Sequence, residues 1–279
     1  MAIFYKLKVR GVYKETDHCS VITFDVPAKL AETFKFRQGQ HLTLKAVING
    51  TDTRRSYSLC SSPAEGVWKV AVKQVLGGAF STYVNEQLKA GDTLQVMPPS
   101  GTFGVKVAPK KAKNYLFFAA GSGITPIICM IKSHLEAEPK ATCKLFYVNR
   151  TAKSIIFKEQ LEQLRNRFFG RFEIYYFLTR EQRDIALFNG RLDDKKMAVL
   201  TRAFIDIPDT DEVFLCGPEK MVSYVSEYLI RAGIPKAQLH FELFVTGLSD
   251  EDIARAERLA KQNVAGTEVT VVDGGKEFT

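Results

Sequence analysis

Short runs of alternating or β-branched residues fill the first hundred positions and are separated by turn signals. The runs are residues 7–9, 20–26, 41–47, 55–59, 67–73 and 93–97. Asn49-Gly50, between the third and fourth runs, is a strong signal for a tight hairpin. Repeated short strands at this spacing predict a small antiparallel β barrel of six strands, in a domain that covers residues 1–108.

One amphipathic segment, residues 77–88, interrupts the strands. Gly77 and Gly78 precede Ser81 and Thr82, which predicts a turn that leads into a short helix. The unpaired N–H groups at such a helix start can hold a phosphate. The alternative is that Ser81 or Thr82 simply caps a connecting helix, and this segment by itself favours the capping interpretation.

From residue 114 to residue 245 the pattern changes to strands that alternate with helices. Apolar or β-branched runs begin at Tyr115 and at residues 143–148, 172–178, 212–216 and 239–244. Helical spacing continues through Ile131 and Leu135 and is found again at residues 157–168, 198–204 and 219–232. This alternation predicts a parallel sheet with right-handed crossovers, whose ligands bind at the carboxyl ends of the strands.

The first strand of this second domain leads into a glycine turn. Gly121-Ser122-Gly123 follows the apolar run, and isoleucines at helical spacing resume at Ile124. A helix start offers unpaired N–H groups and a positive dipole end, and glycines without Cβ let a phosphate come close. The turn therefore suits a nucleotide phosphate. Pro126 stands where the G-x-G-x-x-G fingerprint has its third glycine, so an ordinary strand-to-helix turn is the alternative.

The C-terminal residues differ again from both domains. Residues 246–266 are charged and predict a linker, and residues 267–279 predict a strand, an Asp-Gly-Gly turn and the start of a second strand. A hairpin that is cut off cannot stabilise itself. We therefore expect the natural chain to continue past Thr279, whereas a strand-exchanged or disordered tail is the alternative.

Composition supports an ordinary globular protein of two domains. The chain has 279 residues, of which 46% are hydrophobic and 25% charged. The net charge is +8, but the basic residues are interleaved with acids. This disfavours nucleic acid as a partner and favours an anionic cofactor or an acidic protein. No apolar run approaches the roughly 20 residues of a membrane span, and no signal peptide is recognisable, so we expect a cytoplasmic protein without a membrane partner.

The cysteines do not form a metal-binding or disulfide pattern. No C-x-x-C pair occurs among Cys19, Cys60, Cys129, Cys143 and Cys216, so we expect small buried thiols and no metal site. The plant-type iron–sulfur spacing C-x4-C-x2-C is also absent.

Five motifs stand in an order that resembles the ferredoxin-NADP reductase superfamily. They are R-x-Y-S at residues 55–58, G-G-x-x-S at 77–81, P-x-G-x-F at 99–103, G-x-G-x-T-P at 121–126 and C-G-P at 216–218. Each motif is modest alone, but the series is specific and extends over residues 5–244. The tail resembles the opening hairpin of a plant-type ferredoxin domain. It narrows the likeness to oxygenase reductases with a C-terminal iron–sulfur domain, in particular those of phenylacetyl-coenzyme A epoxygenase complexes of aromatic catabolism.

The resemblance implies roles for residues of the barrel. Arg55 would clamp the FAD pyrophosphate, because a charged fork suits paired phosphate oxygens. Tyr57 would pack on the flavin or its ribityl chain, and Ser58 would place its hydroxyl near the reactive flavin nitrogen N5. Further cofactor-binding residues expected in this domain are Ser56, Lys73, Gly77, Gly78, Ser81 and Thr82.

It also implies roles for the second domain. Cys216 would lie by the nicotinamide ring, with a buried structural thiol as the alternative, and Glu242 and Phe244 would close over the flavin. Ser58, Cys216 and Glu242 are the expected catalytic residues. Further expected cofactor-binding residues are Gly121, Gly123, Thr125, Pro126, Asn149, Arg150, Gly217 and Pro218. Arg150 ends a parallel strand, where an arginine favours a 2′-phosphate and hence NADPH over NADH.

The activity implied is that of an NADPH-dependent flavin oxidoreductase. Electrons would pass from NADPH through FAD to a [2Fe-2S] domain and on to an oxygenase. No cysteine follows Cys216, so the cluster is expected only in the missing C-terminal domain. The alternatives are a free-standing flavin or ferredoxin reductase and a non-catalytic docking subunit.

Overall fold

A computed structural model describes residues 3–244, 271–273 and 276–278 of the chain. The N-terminal domain contains β1 (Tyr5–Thr16), β2 (Cys19–Asp25), β3 (His41–Ile48), β4 (Thr51–Ser58), β5 (Trp68–Lys73), α1 (Ala79–Glu86) and β6 (Thr93–Val96). The six strands form one antiparallel sheet in the order β4-β3-β6-β1-β2-β5. A bridge between Leu59 and Val70 joins its two edges. The predicted six-stranded barrel is therefore confirmed.

Strand β1 is longer than its sequence pattern indicated. Leu7 and Val9 alternate with exposed residues and lie in the barrel core. The pairing with β2 then shifts register between Val9 and Gly11. Because a bulge breaks the alternation of inward and outward side chains, residues 10–16 lack the periodic signal although they belong to the same strand.

The second domain is a parallel sheet covered by helices on both faces. It contains β7 (Asn114–Ala120), α2 (Ile124–Ala137), β8 (Thr142–Asn149), α3 (Lys158–Arg167), β9 (Phe172–Leu178), α4 (Asp194–Ala203), β10 (Glu212–Gly217), α5 (Glu219–Arg231) and β11 (Leu239–Phe244). The strands pair in parallel in the order β11-β10-β7-β8-β9. Residues of α2 and α3 contribute to one buried cluster and those of α4 and α5 to another. The predicted nucleotide-binding type of α/β domain is confirmed.

Two further strands extend this sheet at the β11 edge. Strand β12 (Val271–Asp273) pairs in parallel with β11, and β13 (Lys276–Phe278) pairs antiparallel with β12. The hairpin expected in the tail is thus present. The expected linker, residues 246–266, lies outside the described residues, and the ferredoxin-like nature of the tail stays a prediction.

Helix α4 begins four residues before the predicted segment 198–204. Asp193 caps it, because its carboxylate accepts the N–H of Lys196 at 2.9 Å. The first turn is charged, so apolar periodicity could not reveal it.

Helix α2 packs against the barrel and joins the two domains. Cys60 and Ala71 of the barrel belong to the same buried cluster as Ile128 of α2. Lys132 Nζ of this helix lies 2.9 Å from Glu65 Oε1 of the barrel. The turn at the carboxyl end of β7 also faces the barrel, since a Cβ on Gly121 would lie 3.2 Å from Lys73 Nζ. Among the described residues, no helix has the length and apolar character needed to cross a membrane.

Candidate functional site

Strand β4 presents the R-x-Y-S motif at the edge of the barrel. The Ser56 hydroxyl oxygen is 2.8 Å from that of Thr43 on β3, so the Ser56 side chain forms a hydrogen bond between neighbouring strands of the sheet. Tyr57 points to the other face, where its ring centroid lies 5.8 Å from that of Phe80 on α1. Burial raises the pKa of the Tyr57 phenol, which therefore stays neutral. Arg55 is half-buried beside it.

The three expected catalytic residues meet where the barrel joins the parallel sheet. Ser58 Oγ donates a hydrogen bond to Glu242 Oε2 at 3.3 Å, although the two residues are 184 positions apart. Both side chains are more than nine-tenths buried. Glu242 pairs in register with Cys216 on the neighbouring strand β10. Phe244, two residues further along β11, is half-buried and packs on the domain core.

Cys216 is held as a neutral thiol. Its side chain is fully buried, and burial, followed by the charge of Glu242, raises its pKa well above the ordinary value. A neutral thiol is a poor nucleophile. This agrees with the interpretation of Cys216 as a buried structural thiol.

The two glycines of the turn after β7 are required for different structural reasons. Gly121 has φ +54°, and a Cβ there would lie 3.2 Å from Lys73 Nζ of the barrel. A Cβ on Gly123 would stand 2.1 Å from the carbonyl oxygen of Cys216. The missing side chain of Gly123 therefore allows close packing on β10, and its expected place beside a cofactor phosphate stays a prediction. Thr125 Oγ1 donates to Ser122 O at 3.0 Å and stabilises the turn.

The remaining residues of the G-x-G-x-T-P and C-G-P motifs also contribute to packing. Pro126 is buried in the first turn of α2. A Cβ on Gly217 would lie 2.9 Å from Met221 Cε and 3.0 Å from Ala120 Cβ. Pro218 is the N-cap residue of α5. Their backbones line the carboxyl ends of β7 and β10, where ligands of such sheets bind.

The Ser81 side chain stabilises the loop before α1 by two hydrogen bonds. The Ser81 hydroxyl accepts the N–H of Val75 and donates to the carbonyl of Gly78, each at 3.0 Å. A Cβ on Gly78 would lie 2.7 Å from this hydroxyl, so the glycine is needed for the turn. Gly77 has φ +75° and open space around it, and Thr82 is half-buried. The Ser81 hydroxyl thus shapes the loop, but Ser81 and Thr82 lie inside α1, whose N-cap residue is Gly78 without a side-chain cap. The capping interpretation is therefore wrong.

Two cations from different domains converge beside the glycine turn. Lys73 ends β5, and Arg150 follows β8. Burial, and next the charge of Arg150, lower the pKa of Lys73. Within the part of the chain that the structure describes, Lys73 Nζ has neither a hydrogen bond nor an ion pair. Asn149 is 5% exposed, and its Nδ2 has no hydrogen-bond partner among the described residues. These groups fit a bound phosphate or ribose.

A pocket of about 380 Å³ continues this basic region at the carboxyl end of β9. It is lined by Thr179, Arg180, Gly190, Arg191, Asp193 and Lys196. The Arg180 N–H donates to the carbonyl of Arg150 at 2.9 Å, so the two loops are adjacent. Asp193 pairs with Lys196 at 2.8 Å, which leaves two arginines in the pocket. Sequence reasoning missed them, although Thr179-Arg180 ends a predicted parallel strand as Asn149-Arg150 does.

Each of the two domains matches a known protein family. Residues 6–104 match the family described as oxidoreductase FAD-binding domain, and residues 117–227 match the oxidoreductase NAD-binding domain. One component of the 1,2-phenylacetyl-CoA epoxidase of Escherichia coli K12 is 38% identical over 277 residues, which are 99% of this chain and 76% of that protein.

Two further oxygenase reductases are similar over most of the chain. The ferredoxin reductase component of the Rhodococcus rhodochrous 3-ketosteroid-9-alpha-monooxygenase is 34% identical over 90% of this chain and 71% of its own length. Phthalate dioxygenase reductase, described as a modular structure for electron transfer from pyridine nucleotides to [2Fe-2S], superposes with a TM-score of 0.69 at 25% identity. That superposition covers 89% of this chain and 70% of the reductase.

Proposed function

Because the chain belongs to the ferredoxin reductase family of FAD- and NAD-binding oxidoreductases, we propose that it passes electrons from NADPH through FAD to a [2Fe-2S] centre that serves an oxygenase. The observation that carries the proposal is the meeting of Ser58, Glu242 and Cys216 between the two domains. Bound FAD would supply the chemistry of accepting a hydride from the nicotinamide and releasing electrons singly.

The barrel residues would hold and orient the flavin. Arg55 is half-buried at the barrel edge and offers a charged fork for the pyrophosphate. The neutral ring of Tyr57 offers a flat apolar surface for the flavin. Gly77, which has open space around it, leaves the start of α1 accessible to a phosphate. The two domains together would exclude water from the space between the flavin and the nicotinamide.

Ser58 and Glu242 would handle the proton that accompanies hydride transfer. Ser58 Oγ and Glu242 Oε2 are 3.3 Å apart, so a proton on the hydroxyl can be held towards the carboxylate. Both groups are buried, which strengthens their electrostatic effect on a neighbouring charge. Cys216 would pack beside the nicotinamide as a neutral thiol and take no covalent part.

The basic region favours NADPH over NADH. Lys73 would neutralise the pyrophosphate and Arg150 the 2′-phosphate, and the two positive charges lie close enough to interact across the domain boundary. Arg180 and Arg191 line the pocket next to Arg150. Arginine forks suit a 2′-phosphate, whereas an acidic residue at this strand end would suit the ribose hydroxyl of NADH.

The acceptor is inferred from the relatives. The epoxidase component and the ketosteroid monooxygenase component are named as parts of oxygenase systems, and the phthalate dioxygenase reductase is described as delivering electrons to [2Fe-2S]. We therefore propose an oxygenase of aromatic catabolism, of the phenylacetyl-coenzyme A type, as the final acceptor.

A visible spectrum of the purified protein, followed by anaerobic NADPH, tests the flavin part of the proposal. We expect flavin absorbance that NADPH bleaches faster than equimolar NADH. A separate plant-type ferredoxin is then added as the acceptor, and its reduction is followed. Protein that gains no flavin absorbance with added FAD, or bound flavin that neither nucleotide reduces, would overturn the proposal. Equal rates with both nucleotides would overturn only the NADPH preference.

A further inference from the structure

The loop between β8 and α3 carries Arg150 and ends in an unusual conformation. Phe157, its last residue, has φ +61° and ψ 28°, in the left-handed region that a non-glycine residue rarely adopts. Its side chain is 2% exposed and lies in a core cluster of the second domain. A bulky residue persists in this conformation only when its surroundings fix it, and such positions concentrate at functional sites.

A carboxylate from the other domain fixes this residue. Glu15 Oε1, on β1 of the barrel, accepts the N–H of Phe157 at 2.7 Å across 142 positions of sequence. The second domain supplies other anchors of the loop: the Arg180 N–H donates to the carbonyl of Arg150 at 2.9 Å, and Glu181 accepts the N–H of Ala152 at 2.8 Å. The Glu15 bond thus links the barrel directly to the loop that bears Arg150.

We propose that Glu15 is a positioning residue for nucleotide binding: by holding the Phe157 amide, the barrel sets the loop of residues 150–157 and hence the place of Arg150. The inference rests on the proposed function, in which Arg150 binds a phosphate of the nicotinamide nucleotide. If Glu15 has this role, the affinity for the nucleotide depends on the Glu15–Phe157 contact between the two domains. Neither residue is among the expected cofactor-binding residues.

Glu15 needs to act only as a hydrogen-bond acceptor in this role. Its side chain is half-buried, and burial raises its pKa, so the site does not favour its charge. An amide oxygen can accept the same N–H. Glu15→Gln should therefore preserve the position of the loop, whereas Glu15→Ala leaves the Phe157 amide without its acceptor.

Steady-state kinetics with NADPH of the FAD-loaded variants tests the proposal. Since the Phe157 amide is left without its acceptor, Glu15→Ala should raise KM for NADPH on the order of tenfold, with kcat within about twofold of wild type. Glu15→Gln should restore KM to within about threefold. Glu159→Ala is the matched control, because this nearby exposed carboxylate of α3 has no hydrogen bond to the described residues of the loop, and its KM should equal that of wild type. Flavin content and thermal melting establish that each variant is folded.

Arg150→Ala separates this inference from the proposed function. If Arg150→Ala raises KM for NADPH and Glu15→Ala does not, the role of Glu15 is refuted while the nucleotide assignment stands. If Arg150→Ala has no effect, the nucleotide assignment fails, and the Glu15 proposal fails with it. The double variant should show little more than the effect of Arg150→Ala alone, and multiplied effects would show that the two residues act independently. Faster amide exchange in residues 150–157 of Glu15→Ala is also expected, and unchanged exchange would contradict the proposed contact.

Discussion

Gly123→Ala should disturb both stability and catalysis, because the added methyl group has no space. Its Cβ would stand 2.1 Å from the Cys216 carbonyl oxygen, 2.5 Å from the Cys216 carbonyl carbon and 3.0 Å from the Gly217 nitrogen. All three are backbone atoms of strand β10 and its end, which cannot rotate away. Restoring even a 3.0 Å contact requires the turn and the strand to separate by about 1 Å.

The size of the effect follows from that displacement. Overpacking a rigid site costs typically about 1–3 kcal/mol, so we expect the free energy of unfolding to fall by about 3 kcal/mol. A domain of this size should then melt roughly 6–12 °C lower. The strand that moves carries Cys216 and pairs with Glu242, and a misplacement of about 1 Å in a catalytic site can lower the rate by about a hundredfold.

Urea unfolding and the rate of flavin reduction by NADPH measure the two effects. Gly11→Ala is the matched control: the same methyl group meets no atom within 4 Å there, and its backbone is not left-handed. That variant should remain within about 0.5 kcal/mol of wild type. If Gly123→Ala is equally stable and reduces flavin at the wild-type rate, the packing explanation of this glycine is wrong.

Three further predictions concern the site and the domain connection. Arg150→Glu should raise KM for NADPH by about 10- to 100-fold and change KM for NADH much less; equal losses would show that the 2′-phosphate is read elsewhere. Ser58→Ala should slow anaerobic flavin reduction by about a hundredfold in stopped-flow absorbance while FAD stays bound, whereas an unchanged rate would exclude a role in proton handling. Burial disfavours the charge of Glu138, but hydrogen bonds with His134 and the Ala108 amide hold its pKa below the ordinary 4.5. Stability that depends on this charge is present above pH 4.5 and is lost as the pH falls through the lowered pKa, so Glu138→Gln, compared by urea unfolding at acid and neutral pH, should lose this part of the pH dependence.

The architecture could be predicted from the order of residues alone. Alternating runs bury one face of each strand and indicate the antiparallel barrel. Continuous apolar runs bury both faces and indicate the parallel sheet, so the sequence distinguishes the two kinds of sheet. The order of five short motifs indicated the family, and it selected Ser58, Cys216 and Glu242, which the structure brings together although they lie in separate segments. Strand and helix patterns also placed Arg150 at the end of a parallel strand.

Local irregularities required the structure, because they break the periodicity on which sequence reasoning depends. The register shift between Val9 and Gly11 hid the second half of β1. The Asp193 cap started α4 in a charged stretch that has no apolar stripe.

The surroundings of the site residues are set by contacts between distant segments, and these became known only with the fold. Sequence shows that Gly123 has no side chain, but the reason is the Cys216 carbonyl, 93 positions away. Arg180 and Arg191 share a pocket because the connection between β9 and α4 folds back on the end of β9, where the Gly190 N–H donates to the Leu178 carbonyl at 2.7 Å. Glu15 reaches Phe157 only once the barrel packs on the second domain. Such contacts form between residues that are far apart in the chain. The local hydrophobic pattern predicts each strand and helix, but it does not predict which distant side chains come together when these elements pack.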